Sequence, residues 1–307
     1  MASDGRAGSI PAECTKSMAK ALVTGGAGFI GSNLVDFLLK EGHEVEVWDD
    51  LSTGKLERLS KEVEFKRLDL TRDVLPDIEV DWVFHLAAPV SVQESLENPS
   101  KYMYGCFGTT YRMLDWSRRN SAKSFTLAST AAVYGETEQI PVKETDELNP
   151  ISPYAEWKLK AEDCLSMYKS YFTCTALRFF NVYGNGQSST GSYAPAVARF
   201  LDQYRSEQPI TVTGSGLQTR DYVNVNDICS ALYESGKRIG PFLIMNVGSG
   251  KEIAILDIAK AFETNITFID KRKEPMRSGA DITLIKSKLA WRPKENIFEW
   301  IKHNLDL

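Results

Sequence analysis

The chain has 307 residues, of which 43% are hydrophobic and 25% charged. This is an ordinary globular balance and excludes a disordered or fibrous chain. The length suits one large domain or two of usual size. The formal charge of −5 gives no general reason to expect nucleic acid or an anionic membrane as a partner.

Five cysteines (Cys14, Cys106, Cys164, Cys174, Cys229) are irregularly spaced without a C-x-x-C. They read as reduced thiols of a cytoplasmic protein rather than a disulfide frame or zinc site. The three histidines, His43, His85 and His303, lack metal-ligand spacing, so no metal site is expected. No apolar run reaches about 18 residues, so no membrane-spanning helix is expected.

Residues 1–17 are small and polar with no apolar signal stretch, and are expected to be a tag or flexible arm. Residues 21–23 form a short apolar run typical of a buried strand. Over residues 29–40, Ile30, Leu34, Phe37 and Leu38 recur at helical spacing, and Gly42 caps the end. Residues 45–48 read as a second strand, Val63 and Phe65 mark a third, and 82–86 a fourth. A long helix over 99–120, a strand at 125–128, a helix over 153–171 and a strand at 174–177 follow. This alternation predicts an α/β protein with a Rossmann-type, doubly wound parallel sheet. After Asn181, glycines at 184, 186, 191, 214 and 216 punctuate shorter elements. Short helices are expected over 193–204, 227–237, 255–262 and 296–304, giving a smaller C-terminal α/β portion.

The stretch from Ala21 to Gly31 (ALVTGGAGFIG) carries the first chemistry. Gly25 permits a tight turn after the strand, Gly28 lets a pyrophosphate approach, and Gly31 lets helix and strand pack closely. The helix start, with Phe29 and Ile30, offers N–H groups to phosphate. Asp49 ends the second strand, where a carboxylate binds adenosine ribose hydroxyls and repels a 2′-phosphate. The implied cofactor is NAD. Residues 18–180 are accordingly expected to form the NAD-binding domain and 181–307 a substrate-binding domain interleaved with it. Tyr154 and Lys158, four apart near a helix start, face the same way. A cation there is expected to lower the phenol's pKa towards neutrality. Thr130, ending the preceding strand, could share a substrate oxygen with Tyr154. His85 reads as a packed strand residue, and Lys271, Arg272 and Lys273 as a solvated loop.

From Ala21 to the C-terminus the chain resembles the extended short-chain dehydrogenase/reductases, within them the UDP-glucose 4-epimerase group. The segments VTGGAGFIGSNLV, HLAAPVSVQES, LASTAAVYG, SPYAEWK, LRFFNVYG, GSGLQTRDYVNVND and MNVGSG carry the resemblance. It implies Tyr154 as catalytic base, Lys158 as its partner and nicotinamide-ribose ligand, and Thr130 in the catalytic hydroxyl place. Asp49, Asp50, Asp69 and Leu70 would hold the adenosine. Leu86, Ala87 and Ala88 would line the cofactor, and Ser91 the substrate. Asn181, Arg220 and Arg277 match positions that grip the nucleotide diphosphate. The implied reaction is 4-epimerisation of a UDP-sugar (glucose/galactose or their N-acetyl forms) through a 4-keto intermediate, in a homodimer paired through the helices at 99–120 and 153–171. Trp157 and Tyr168 are expected at that interface. Alternatives are a 4-keto-sugar reductase and a non-catalytic NAD-binding sensor.

One feature narrows the reaction, and two depart from relatives of this type. Ala131 and Ala132 stand where dehydratases carry an Asp-Glu pair and decarboxylases a Glu. Gly105 replaces the Asn of an N-x-x-G-T pattern. The connection from Arg277 to Asp281 is short, which is expected to open the sugar pocket.

Overall fold

The computed structural model describes residues 18–190, 194–270 and 275–305. Cys14, the arm at 1–17, Gly191, Tyr193 and the basic run 271–273 lie outside the described residues. A seven-stranded sheet, entirely parallel, organises the chain. Its strands are β1 (Lys20–Thr24), β2 (Glu44–Asp49), β3 (Glu64–Arg67), β4 (Trp82–His85), β5 (Ser124–Thr130), β6 (Thr173–Phe179) and β10 (Leu243–Val247), in the order β10-β6-β5-β4-β1-β2-β3. The central strands are buried on both faces, as a sheet covered by helices on both sides requires.

Helix α1 (Phe29–Lys40) packs with α7 (Val225–Lys237) on one face. There Leu34, Leu38, Val47, Phe84, Ile228 and Leu232 share a core. Helices α4 (Thr109–Arg119) and α5 (Pro153–Tyr168) cover the other face, closing Met113, Trp116, Phe125, Leu165 and Cys174 over the strands. Gly42 has φ +84° and its N–H donates to the Leu39 carbonyl, the capping role its position suggested.

The helix expected over 99–120 is interrupted. It runs as α3 (Pro99–Tyr102), a π-helical turn over Met103–Gly108, and α4. Two short helices went unforeseen, α2 (Val92–Glu97) and α9 (Thr283–Leu289), as did every strand after β6, including the edge strand β10 of the large sheet.

The C-terminal portion adds two small sheets, β11-β9-β7 and β12-β8. Their strands are β7 (Asn181–Tyr183), β8 (Ile210–Thr213), β9 (Thr219–Asn224), β11 (Glu252–Ala254) and β12 (Ile266–Ile269). Helices α6 (Ala196–Arg205), α8 (Ile255–Lys260) and α10 (Ile297–Leu305) accompany them. Phe200, Val212, Ile258, Phe262 and Ile301 form their core. Among the described residues no helix is long and apolar enough to cross a membrane.

Candidate active site

Most of the sequence-predicted residues lie at or just after the C-terminal ends of the parallel strands, where open α/β sheets present their ligand crevice. β1 ends in the glycine turn. Gly25 has φ +70°, and a Cβ there would stand 2.7 Å from the Ala87 nitrogen. A Cβ on Gly31 would stand 2.1 Å from the Gly25 carbonyl oxygen. The backbone therefore approaches as only glycine permits. Gly28 caps α1 without a side chain, leaving the first-turn N–H groups at Phe29 and Ile30 open for phosphate oxygens.

Asp49, at the end of β2, accepts from the Ala27 N–H (Oδ2, 3.0 Å) and the Leu51 N–H (Oδ1, 2.8 Å). Burial raises its pKa, the two N–H groups oppose that, and Asp50 adds to it. Asp50 is exposed and accepts from the Ser52 N–H. Asp69 accepts from the Thr71 N–H and hydroxyl, beside buried Leu70, whose carbonyl takes Arg112. Leu86, Ala87 and Ala88 follow β4 half-buried.

Thr130 ends β5, and its Oγ accepts from the Ala132 N–H at 3.1 Å, starting a 3₁₀ turn over Ala131–Tyr134. Helix α5 begins behind it. Ser152 caps that helix through the Ala155 N–H at 3.2 Å, with Pro153 in the first turn. This start places Tyr154 beside Thr130, whose hydroxyl is near enough to the phenol to lower its pKa. The Tyr102 ring meets Tyr154 edge-on, with centroids 6.1 Å apart. The Tyr102 hydroxyl donates to Glu94 at 3.0 Å, and Ser91, the cap of α2, lies near enough to lower its pKa.

Lys158 is buried, and its Nζ donates to the Ala128 carbonyl at 2.8 Å. Burial lowers its pKa, partly offset by Cys106 and Glu162. The expected downward shift of the Tyr154 phenol is corrected here. Burial pushes it upward, Cys106 adds to that, and only Thr130 opposes. Lys158 points at a strand carbonyl, and desolvation dominates the phenol.

A buried ion pair anchors the catalytic-type helix from behind. Arg178 on β6 grips Glu162 on α5 (Nη2–Oε2 2.7 Å, Nε–Oε1 3.0 Å), and Ser129 also donates to Glu162. The Arg178 Nη1 reaches the Tyr134 hydroxyl at 2.9 Å, which reaches Asn246 at 2.7 Å.

Asn181 and Arg220 lie on adjacent strands of the small sheet, beside the end of β6. The Asn181 Nδ2 reaches the Asp221 carbonyl at 3.4 Å, and the Arg220 Nη1 donates to the Thr219 carbonyl at 2.8 Å. Arg277 stands further out, 54% exposed, with its Nε 3.1 Å from Glu252 Oε1. The short connection after it closes onto residues 140–142: the Val142 N–H donates to Gly279 and the Asp281 N–H to Val142. Trp157 and Tyr168 are engaged within the chain, by Phe107 and by Tyr111 and Phe172.

Sequence reasoning missed the partners: Glu252 for Arg277, Arg178 for Glu162, and Cys106 beside Tyr154 and Lys158. Glu162 falls four residues after Lys158, so helical spacing alone could have flagged it.

Residues 21–248 match the NAD dependent epimerase/dehydratase family. The chain is 33% identical to a putative UDP-glucose 4-epimerase of Methanocaldococcus jannaschii over 92% of this chain and 95% of that one. It is 34% identical to UDP-glucuronic acid decarboxylase 4 of Arabidopsis thaliana over 94% of this chain and 68% of that one. Among solved structures, a UDP-N-acetylglucosamine 4-epimerase from Methanobrevibacter ruminantium superposes with a TM-score of 0.87 at 30% identity, covering 94% of this chain and 97% of that one. The NAD complex of the Thermus thermophilus UDP-glucose 4-epimerase gives 0.83 at 32% identity, covering 94% and 98%. With the glycine cradle, the Asp49 carboxylate and the Tyr154–Thr130 pair at one end of the sheet, the chain belongs to the NAD-dependent epimerase/dehydratase family.

Proposed function

We propose that this enzyme interconverts C4 epimers of a UDP-hexose, UDP-glucose and UDP-galactose or their N-acetyl counterparts. The observation that carries the reading is the turn after Thr130. It presents Ala131 and Ala132, so that turn offers no carboxylate for eliminating water or assisting decarboxylation. The Tyr154 and Thr130 hydroxyls remain as the acid/base equipment.

Bound NAD⁺ supplies the acceptor for the C4 hydride and the positive charge of its nicotinamide ring. Gly25, Gly28, Phe29, Ile30 and Gly31 cradle its pyrophosphate. Asp49, Asp50, Asp69 and Leu70 hold the adenosine end, and Leu86, Ala87, Ala88 and Lys158 the remainder. Tyr154 takes the proton from the substrate C4 hydroxyl and later returns it. Thr130 orients that oxygen, and the Lys158 ammonium stabilises the site's negative charge. Ser91 contacts the sugar, while Asn181, Arg220 and Arg277 grip the diphosphate. A firm grip on the diphosphate with a looser sugar pocket lets the 4-keto sugar present either face. The short 277–281 connection supports including N-acetylated sugars.

Proton NMR of the protein with UDP-glucose and, separately, UDP-N-acetylglucosamine is expected to show the galacto anomeric signal. Tyr154→Phe is expected to lower the rate by roughly 10²- to 10⁴-fold with NAD still bound. Absence of conversion of either sugar by the wild type would remove this reading. One observation favours a second reading, reduction of a 4-keto sugar: the upward-shifted Tyr154 phenol keeps a proton ready to donate. An epimerase regenerates its cofactor in every turnover, so dinucleotide retained through gel filtration separates the two.

We also propose a homodimer through α4 and α5, supported by Tyr104, Tyr111, Met167 and Tyr171, all large and exposed. The free thiols at Cys106, Cys164, Cys174 and Cys229 support a cytoplasmic setting.

A further inference from the structure

We propose that His85 is a positioning residue that ties the floor of the dinucleotide cradle to the π-helical wall beside Tyr154. The proposal rests on reading the cradle as the NAD site and Tyr154 as the acid/base group.

His85 ends β4 at 1% exposure, between Thr24 on β1 and Thr109 on α4, both buried. Its Nδ1 lies 2.7 Å from Thr24 Oγ1, and its Nε2 lies 3.5 Å from Thr109 Oγ1. The protons follow from counting donors. Thr109 gives its single hydroxyl proton to the Gly105 carbonyl at 2.7 Å, so towards His85 it can only accept. Nε2 therefore carries the ring proton, and Nδ1 is the acceptor. Thr24 donates to Nδ1, and its own oxygen accepts from the Ala87 N–H at 3.3 Å. The result is one directed chain from Ala87 through Thr24, His85 and Thr109 to Gly105.

Each end of that chain meets the site. Ala87 lies so close to Gly25 that a Cβ there would stand 2.7 Å from its nitrogen. Gly105 lies in the π-helical turn, where the Thr109 N–H reaches back to the Tyr104 carbonyl. The Thr109 hydroxyl supplies the Gly105 carbonyl with a partner inside that irregular turn. The next residue, Cys106, has its Sγ 3.8 Å from the Pro89 carbonyl and belongs to the turn that packs against α5, the helix that carries Tyr154 and Lys158. His85 thus sets the distance between the backbone that cradles the cofactor and the wall that flanks the proton-transfer pair.

The two arms can be cut separately. Asparagine places its amide near the Nδ1 position, and glutamine near the Nε2 position. His85→Asn keeps the Thr24 arm. It is expected to retain NAD within about twofold of wild type, show faster amide exchange at residues 105–110, and lose roughly tenfold or more in kcat. His85→Gln keeps the Thr109 arm. It is expected to hold NAD about three- to tenfold less tightly and to exchange faster at residues 25–28 and 86–88, with kcat per bound NAD near wild type. Thr109→Val and Thr24→Val cut the same arms from their far ends and are expected to repeat the Asn and Gln patterns respectively, should a His85 variant fail to fold. Parallel losses of retention, protection and rate in all four variants, or no change in any, would overturn the proposal. If the wild type turns over no UDP-hexose, the epimerase reading falls, while NAD retention and amide exchange still decide the role of His85.

Discussion

Gly105 faces the Pro89 ring. A Cβ added to it would stand 2.6 Å from Pro89 Cδ and 3.0 Å from Cγ, and a proline ring cannot swing aside. An asparagine there, which the resemblance to the epimerase group implies, therefore does not fit beside Pro89. Removing a helical glycine gains at most about 1 kcal/mol, whereas overpacking costs about 1–3 kcal/mol, so strain wins. Gly105→Asn is expected to lower the urea midpoint and the activity together, and Pro89→Ala in the same chain to restore both. An active, stable single variant would refute the pairing. His85 adds a pH dependence. Burial, with the Lys158 charge adding, lowers its pKa to about 3 from the ordinary 6.5. Between those values the unfolded chain holds a proton that the folded chain does not. Stability from this group is complete above pH 6.5 and falls as the pH drops, by about 1.4 kcal/mol per unit. Urea midpoints taken from about pH 6 to pH 4 are expected to fall more steeply for wild type than for His85→Asn.

At the scale of elements, α5 is fixed to the sheet by a charge pair with almost no water. The Arg178 and Glu162 side chains are 2% and 1% exposed. Arg178→Met leaves a buried carboxylate uncompensated and is expected to cost about 3–5 kcal/mol. Replacing both residues by apolar ones of similar volume is expected to recover most of that in urea unfolding. Elements of this kind divide what the sequence reveals. Strands such as Val45–Trp48 and helices such as Phe29–Lys40 announce themselves by apolar runs and spacing, because both sheet faces are buried. The strands of the small sheets, three to six residues long, carry mixed patterns, so nothing periodic marks them. The π-helical turn at Met103–Gly108 is invisible to a search for helical spacing, since its residues fit an ordinary helix equally well. Of the candidate site, the glycine turn, Asp49, Thr130, Tyr154 and Lys158 were legible as motifs with fixed spacing. The upward shift of Tyr154 was not, because it depends on packing and on where Lys158 points.

For the whole molecule, one surface stands out. Tyr104, Tyr111, Met167 and Tyr171 are 59%, 48%, 57% and 61% exposed, on the π-helical turn, on α4, and at or just beyond the end of α5. The Arg118 guanidinium lies over the Tyr171 ring at 5.7 Å. If two copies pair through this face, equilibrium sedimentation gives twice the chain mass, and Tyr111→Asp with Met167→Asp shifts the protein to monomer. A wild type that sediments as monomer at all concentrations refutes the pairing. The order of the large sheet has a different consequence. Its edge strand β10 comes from residues 243–247 and lies against β6, while α7, from residues 225–237, covers α1. During synthesis the first 180 residues therefore emerge with one sheet edge unpaired and an apolar helix face bare. The sheet that cradles the cofactor is completed only after most of the small sheets have been made, and until then the nascent chain presents a surface that chaperones or neighbouring chains can capture.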